Sequence, residues 1–202
     1  MLRRTRRLFA QLPDKKEVKR PLTDCEHGAI EMKNSFGRSG IFRNQKITEA
    51  MLYQVWKKAK PGSYDDFAAG CYGMNLFYNF GRRMGCKQMT DRFLQLCVTT
   101  EQYDQGIDTL KYYKGWMEHP PTRRTTYELL NRLVEQKEWM KVRDAVSTVR
   151  ENWQMTPTAT LYKFGIEAML QLEERSAQEA VKIYDDSLAV KVRQKIQFQL
   201  LT

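Results

Sequence analysis

The stretch TTYELLNRLVEQKEWMKVRDAVSTVRENWQMTPT (125–158) decides the fold, because it predicts two amphipathic helices separated by a short polar turn. Thr125 followed by Glu128 is typical of a capping box, which places a helix start at Thr125. Apolar residues recur at helical spacing on both sides of the turn, namely Leu129, Leu130, Leu133, Val134, Trp139, Val142, Ala145, Val146 and Val149. The stretch therefore predicts one helical hairpin.

The same kind of unit recurs along the chain at an interval of 35 or 36 residues. The landmarks with this interval are the pairs Tyr127 and Tyr162, Tyr103 and Trp139, and Pro121 and Pro157. Further capping boxes are predicted at Thr99 with Gln102 and at Ser176 with Glu179. A fixed period of this length with two helices per unit predicts an α-solenoid, in which each hairpin buries its apolar faces against its neighbours.

The chain before this region also has helical signals. Residues 48–59 are predicted to form a helix that ends before Pro61. Ser63 is predicted to cap the next helix, with Asp66 returning a hydrogen bond to the cap. Three glycines within this second helix indicate either a close helix approach or a bend, and these are Gly70, Gly73 and Gly81.

The N-terminal segment shows no sustained hydrophobic period. Glycines and prolines interrupt residues 14–45, so we expect an irregular arm there. The predicted organisation is a basic, presequence-like arm (1–45), a degenerate N-terminal helical hairpin (46–88), and helical repeats with a C-terminal helix (89–202). The expected fold class is all-α, a short α-solenoid of three to four helical hairpins with an irregular basic extension.

The charge distribution favours a polyanionic partner. The chain has 34 Lys and Arg against 24 Asp and Glu, a net charge of +10, and residues 1–45 hold eleven basic residues but only five acidic ones. The first thirteen residues are rich in arginine and precede the first acid, Asp14, which is the composition of a mitochondrial presequence, or transit peptide. An ordinary basic tail is the alternative. We expect the mitochondrial matrix, with the arm serving both as an import signal and as a contact for an anionic partner.

Cys25, Cys71, Cys86 and Cys97 form no C-x-x-C pair and no zinc framework. We interpret them as buried or free thiols in a reducing compartment and expect no metal and no cofactor. The sequence contains no apolar run long enough for a membrane helix and no secretory signal, so we expect no membrane span.

The sequence of these predicted hairpins resembles the pentatricopeptide repeat family. Residues 125–158 resemble one repeat through the Thr-Tyr opening, the polar turn and a proline near the end, and residues 159–190 resemble the next. Residues 89–122 are similar to a preceding repeat that lacks the early tyrosine, and residues 48–85 to a degenerate fourth. The Trp-Leu-Gly landmarks of tetratricopeptide repeats are absent.

The resemblance implies positions that read an RNA base, as in other helical-repeat readers. These slots hold Arg92 with Thr122, Glu128 with Thr158, and Lys163 without a clear partner. A capping role with Thr125 explains Glu128 without RNA. Three hairpins would read at most two or three bases, so we expect contact with RNA that does not depend on sequence.

Basic clusters supply the expected RNA-binding residues. Cations in the arm, near the end of one helix and in one turn suit contact with phosphates. The expected residues are Arg3, Arg4, Arg6, Arg7, Lys15, Lys16, Lys19, Arg20, Arg38, Arg43, Arg82, Arg83, Arg123 and Arg124.

Catalysis is not expected. His27 and His119 are far apart in sequence and have no spacing that suggests a metal or a nucleophile relay. The adjacent acids Asp65 with Asp66, and Asp185 with Asp186, are interpreted as solvated rather than catalytic. The first of these pairs lies in an opening helical turn, where the dipole stabilises negative charge. We therefore expect no enzyme and no small-molecule substrate.

These features predict a structural component of a mitochondrial ribonucleoprotein, and specifically a mitoribosomal protein. Its helical hairpins would contact neighbouring subunits of a large assembly, and its basic arm would contact the phosphate backbone of mitochondrial rRNA. One alternative is an accessory protein-binding subunit of a respiratory or ATP-synthase complex. Another is a mitochondrial RNA-processing or RNA-stability factor.

Overall fold

The computed structural model describes residues 20–37, 47–80, 88–112, 117, 119–152, 158–172, 178 and 180–189. These residues form helices and no β-strand, which confirms the all-α fold class. The helices are α1 (Asp24–Gly37), α2 (Glu49–Lys57), α3 (Tyr64–Phe80), α4 (Met89–Thr99), α5 (Tyr103–Tyr112), α6 (Arg123–Glu135), α7 (Trp139–Asn152), α8 (Ala159–Gln171) and α9 (180–189). They belong to two compact units, one with α1–α4 and one with α6–α9 and most of α5.

In the N-terminal unit, α1 packs against α2 and α3, and α4 packs against the same two helices. The buried side chains of this unit include Cys25, Ala29, Met32, Leu52, Val55, Trp56, Phe67, Met74, Phe77, Phe93 and Leu94. Helix α4 therefore belongs to the core of the N-terminal unit. The division of the chain into an arm, a hairpin and repeats stays a prediction.

Helix α1 lies in the segment that was predicted to be an irregular arm, so that prediction is wrong for residues 24–37. Thr23 and Glu26 form a reciprocal capping box at its start. The Glu26 backbone N–H donates to Thr23 Oγ1 at 3.2 Å, and the Thr23 backbone N–H donates to Glu26 Oε2 at 2.7 Å. Burial against α2 and α3 stabilises the helix despite its weak hydrophobic period. Residues 20–23 of the predicted arm precede the helix, and residues 1–19 and 38–45 lie outside the described residues.

The starts of α2 and α3 agree with the predicted helices. Thr48 caps α2, and Ser63 Oγ accepts a hydrogen bond from the Asp66 backbone N–H at 3.2 Å. The return bond from Asp66 to the cap is not formed, because Asp66 Oδ2 accepts instead from the backbone N–H of Lys60 at 2.8 Å. Asp66 thereby ties the turn after α2 to the first turn of α3.

Gly70 and Gly73 mark a close approach of α3 to its neighbours, the first of the two explanations that the sequence left open. A Cβ at Gly70 would lie 2.5 Å from Leu96 Cδ2 and 3.1 Å from Trp56 Cδ1. Trp56 Nε1 also donates to the Gly70 carbonyl at 3.0 Å, so the indole ring lies directly on the backbone of α3. Gly81 lies outside the described residues.

The turns after α4 and after α6 have the same backbone geometry. Gln102 N–H donates to Cys97 O at 2.8 Å, and Glu138 N–H donates to Leu133 O at 2.9 Å. Each turn contains one non-glycine residue in the left-handed region, Glu101 (φ 60°) and Lys137 (φ 59°). Equivalent residues are 36 apart in sequence, in agreement with the predicted period.

The turn geometry also shows that the predicted capping box of Thr99 with Gln102 is wrong. Thr99 is the last residue of α4, and its carbonyl accepts from the Gly62 backbone N–H at 3.0 Å. Gln102 Nε2 donates to the carbonyl of Thr100 at 3.1 Å rather than closing a cap. Thr99 and Gln102 therefore flank the left-handed residue Glu101 in the turn between α4 and α5, and they do not form a capping box for α5.

In the C-terminal unit, α6 packs against α7, α7 packs against α8, and α6 also contacts α8. Asp104 of α5 forms an ion pair of 3.0 Å with Lys141 of α7. Ala180 and Ile183 of α9 pack against Tyr162 and Met169 of α8. The predicted hairpin of α6 and α7 is thus present, whereas the solenoid along the whole chain stays a prediction.

The helix starts in this unit differ from the predicted capping boxes. Thr122, not Thr125, is the N-cap of α6, and Thr158 is the N-cap of α8. Thr125 is a buried residue of the first turn, so the capping box with Glu128 is wrong. The predicted box of Ser176 with Glu179 lies outside the described residues.

Candidate nucleic-acid interface

Of the fourteen predicted RNA-binding residues, three lie in the described part of the chain: Arg20, Arg123 and Arg124. The other eleven lie outside it, and they are Arg3, Arg4, Arg6, Arg7, Lys15, Lys16, Lys19, Arg38, Arg43, Arg82 and Arg83.

Arg20 precedes α1 and is held by two carboxylates of its own unit. Its two terminal nitrogens each donate to one oxygen of Glu26 at 3.0 Å, a bidentate pair. One of them also lies 2.9 Å from Asp65 Oδ2 on α3. Arg20 consequently fixes the point at which the preceding residues join the helical unit, and its predicted RNA contact stays a prediction.

Glu26 is 1% exposed, which is unusual for a charged side chain. Burial by itself raises the pKa of Glu26, but hydrogen bonds from Arg20 and from the Thr23 backbone N–H outweigh it. The pKa of Glu26 therefore lies below its ordinary value, and the carboxylate stays charged inside the unit.

Arg123 and Arg124 are both exposed and form the first two residues of α6. The N-terminal end of a helix carries a partial positive charge, so cations are unfavourable there and anions are stabilised. The first turn of α6 contains no acidic residue. This helix start therefore combines two arginines with the positive end of a helix dipole.

The starts of the helices differ in charge. Each of α1–α5 has at least one acidic residue in its first turn, whereas the first turns of α6, α7 and α8 have none. Glu138 directly precedes α7, so a carboxylate is present at the start of that helix. The first turns of α6 and α8 therefore contain no acid that would neutralise the positive end of the helix dipole.

Tyr127 brings the starts of α6 and α8 together. Its hydroxyl shares a short hydrogen bond with the hydroxyl of Thr158, the N-cap of α8. Its ring lies 6.0 Å from that of Phe164, centroid to centroid. Lys163, one turn into α8, is exposed. Two helix N-termini, two arginines and one lysine thus lie at the same end of the C-terminal unit.

The base-reading slots implied by the family resemblance have these surroundings. Arg92 is half-buried, with its guanidinium 5.9 Å from the Tyr53 ring centroid and one nitrogen 3.3 Å from Gln95 Oε1. Glu128 is exposed on α6, and capping no longer accounts for it. Base readout by these residues stays a prediction.

The structure also describes the two histidines and the first pair of adjacent acids. His27 is exposed on α1, and the carbonyl of His119 accepts a short hydrogen bond from the Thr90 hydroxyl. Asp66 is fully buried, so its interpretation as a solvated group is wrong. The backbone N–H of Lys60 donates to Asp66 Oδ2, whereas Oδ1 is buried without a hydrogen-bond partner among the described residues.

The second acidic pair includes a structural residue. Asp186 forms an ion pair of 2.6 Å with Arg150, which links α9 to α7. Asp185 is exposed.

Two features of the site were missed at the sequence level. The caps Thr122 and Thr158 each follow a proline, in the strings PPT (120–122) and TPT (156–158), and that repeated signal could have located both helix starts. The run KKAK (57–60) places three lysines within four residues, and in the structure all three are exposed.

Within the described residues, no group of three or more His, Cys, Asp and Glu side chains is arranged to hold a metal ion. The helices of that same part of the chain include none with the length and apolar character needed to cross a membrane. In comparisons with known proteins, no family model and no curated protein matches this chain.

Proposed function

We propose that this chain is a structural component of a mitochondrial ribonucleoprotein, the mitochondrial ribosome, located in the matrix. The helical units serve as protein-binding elements between neighbouring subunits. The basic residues, those of the N-terminal segment included, contact the phosphate backbone of rRNA without reading its sequence.

The observation that carries this proposal is the charge at the adjoining starts of α6 and α8. Arg123 and Arg124 are exposed in the first turn of α6, which contains no acidic residue and where the helix dipole favours an anion. A phosphate bound there would gain charge-assisted hydrogen bonds from guanidinium groups. The sequence adds a net charge of +10 and a presequence-like start.

Co-sedimentation of the tagged protein from mitochondrial lysate tests the proposal. We expect the protein in a particle that contains rRNA and that RNase disperses. A particle that withstands high salt and lacks rRNA would contradict the proposal, and crosslinks to messenger RNA in place of rRNA would indicate an RNA-processing or RNA-stability factor.

A second candidate is an accessory subunit of a respiratory or ATP-synthase complex. One observation favours it: Val181, Tyr184 and Leu188 of α9 are exposed apolar residues spaced three and four apart on one helix face. Such a face suits a protein neighbour. On a native gel, RNase would leave this assembly at its original position, whereas it would shift the ribonucleoprotein.

A further inference from the structure

The end of α2 carries a cluster of lysines in the N-terminal unit. Lys57 is the last residue of α2, Lys58 is its C-cap, and Lys60 lies in the following turn. All three are exposed, and the side chain of Lys60 is 65% exposed. We call Lys57, Lys58 and Lys60 the lysine cluster.

The backbone around the lysine cluster is well fixed. Lys60 N–H donates to the buried carboxylate of Asp66, and Lys60 O accepts from Ser63 N–H at 3.3 Å. Lys58 lies across Gly28 of α1, since a Cβ at Gly28 would be 3.4 Å from Lys58 Nζ and 3.6 Å from its Cδ. Hydrogen bonds of the backbone thus fix Lys60 beside the start of α3, and Lys58 lies beside α1.

An exposed aromatic ring adjoins the lysine cluster. Tyr64, the first residue of α3, is 63% exposed, although it is a large side chain with apolar area to bury. Its ring centroid lies 6.4 Å from that of the buried Phe67, with the two rings tilted by 43°. Exposed aromatic rings beside cations are the arrangement on which single-stranded nucleic acids stack their bases.

The basic N-terminal segment joins the same unit. Arg20 is bound to Asp65, the residue next to Tyr64, so the chain that precedes Arg20 joins the unit here. Residues 1–19 contain seven basic residues and two acidic ones. The segment that precedes Arg20 is therefore attached to the unit at an ion pair with Asp65, next to Tyr64.

Helix stabilisation does not account for the whole lysine cluster. Lys57 and Lys58 lie at the negative end of the α2 dipole, where a cation is favourable without any ligand. Lys60 lies beyond the helix, and its contact with Asp24 is a 3.9 Å approach between two exposed side chains, which contributes little. The dipole of α2 therefore accounts for Lys57 and Lys58 but not for Lys60.

We propose that Lys57, Lys58, Lys60 and Tyr64 form a second RNA-binding surface, which takes single-stranded RNA with its phosphates on the lysines and a base on Tyr64. This inference rests on the proposed function, because it extends RNA binding to the N-terminal unit. It adds a ligand class, an unpaired strand, that the arginines of α6 do not specify.

The test uses the full chain and a fluorescent oligouridine, with affinity measured by anisotropy over a series of salt concentrations. The variant is K57Q/K58Q/K60Q, and the matched control is K33Q/K111Q/K182Q, which removes three exposed lysines elsewhere. We expect the variant to bind at least tenfold more weakly. The slope of log affinity against log salt should fall by about 2, since each phosphate contact on a single strand contributes about 0.7. The control should keep the wild-type slope.

Variants of Tyr64 test base stacking separately from charge, because they leave the charge of the protein unchanged. Tyr64→Ala should weaken oligouridine binding about tenfold, and Tyr64→Phe should bind like the wild type, because stacking requires the ring and not the hydroxyl. Melting temperatures of both variants equal to that of the wild type would show that folding is intact.

The outcomes separate this inference from the proposed function. If the wild type binds no RNA, both fail. If the wild type binds and the lysine variant behaves like its control, the second surface is excluded, while RNA binding through α6 and the arm stands. If polyglutamate displaces the oligouridine at equal charge concentration and Tyr64→Ala has no effect, the surface binds acidic protein and the inference is overturned.

Discussion

The hydroxyl groups of Tyr127 and Thr158 share a hydrogen bond that joins the second turn of α6 to the N-cap of α8. Thr158 Oγ1 also accepts from the Leu161 backbone N–H at 3.3 Å, so one threonine both caps a helix and binds its neighbour. This contact sets the distance between two helix starts that carry a concentrated positive charge. The alignment of the candidate interface therefore depends on it.

Removing the Tyr127 hydroxyl should destabilise the protein while leaving the ring in place. We expect Tyr127→Phe to lower the free energy of unfolding by about 0.5–1.5 kcal/mol, because one partly buried hydrogen bond is lost. Tyr184→Phe is the control, since that exposed side chain should change stability by less than about 0.5 kcal/mol. Urea denaturation measures both, and equal effects would mean that the Tyr127 contact adds nothing.

Acid should destabilise the protein partly through Glu26. Its pKa lies below the ordinary value in the folded state, so its contribution is complete above the unfolded pKa of about 4.3 and is lost as the pH falls through the folded pKa. Glu26→Gln should therefore flatten the loss of stability below about pH 4.3. Glu135→Gln, at an exposed ion pair, should leave the profile unchanged. Identical profiles for wild type and Glu26→Gln would contradict this.

Gly70 should tolerate no side chain. In Gly70→Ala the added methyl group meets Leu96 and Trp56, both buried, and we expect a loss of about 1–3 kcal/mol. Gly28→Ala is the matched control, because its Cβ meets only ordinary contacts of 3.4 Å and alanine favours the helix by about 1 kcal/mol. Thermal unfolding should rank the control above the wild type and Gly70→Ala below it.

Buried thiols should be unreactive in the folded protein. Burial, with smaller effects from nearby carboxylates, raises the pKa of Cys25 to about 12, and burial raises the pKa of Cys71 to about 12. At pH 8 the thiolate fraction is then about three orders of magnitude below that of a free cysteine. Alkylation followed by mass spectrometry should modify both residues only after denaturant is added. Rapid native alkylation of Cys25 would show that α1 opens readily.

The helix α1 shows why part of the fold was not predictable from hydrophobic pattern alone. Glycines at 28 and 37 argued against a helix, yet α1 includes both of them. Burial of Cys25, Ala29 and Met32 in the core with α2 and α3 stabilises the helix, and the local sequence does not show that packing. The string TDCE (23–26) was the local signal available, because Thr23 and Glu26 have the spacing of the capping box that they form.

The repeat period was predictable, but the positions of the caps within it were not. Spacing of landmarks predicted a unit of 35 or 36 residues, and the turns at Glu101 and Lys137 repeat after 36. The capping-box pattern, a threonine followed three residues later by an acid or an amide, predicted helix starts at Thr99 and Thr125, and both predictions are wrong. At Thr125 the rule failed because Thr122 caps α6 and its carbonyl accepts from Thr126 N–H.

The sequence predicted basic residues of the candidate site but not how they are arranged in space. The sequence contains Arg123 and Arg124, but their meeting with the start of α8 depends on the contact of Tyr127 with Thr158, 31 residues away. Similarly, Arg20 was predicted from charge alone to bind RNA. Its bidentate pair with Glu26 and its contact with Asp65 require the packing of α1 on α3.

Arg124 should affect stability and RNA binding in opposite directions. Arg124→Glu places an anion in the first turn of α6, which should stabilise the free protein by about 0.3–1 kcal/mol through the helix dipole. The same change should weaken binding to an RNA oligonucleotide and lower its salt dependence, because one phosphate contact becomes a repulsion. Lys33→Glu, at an exposed position of α1 outside its first turn, controls for the change in total charge and should leave both properties near the wild type. Urea denaturation and fluorescence anisotropy measure the two effects. If Arg124→Glu destabilises the free protein, Arg124 makes stabilising contacts within the chain. The inference that the start of α6 binds a phosphate would then fail.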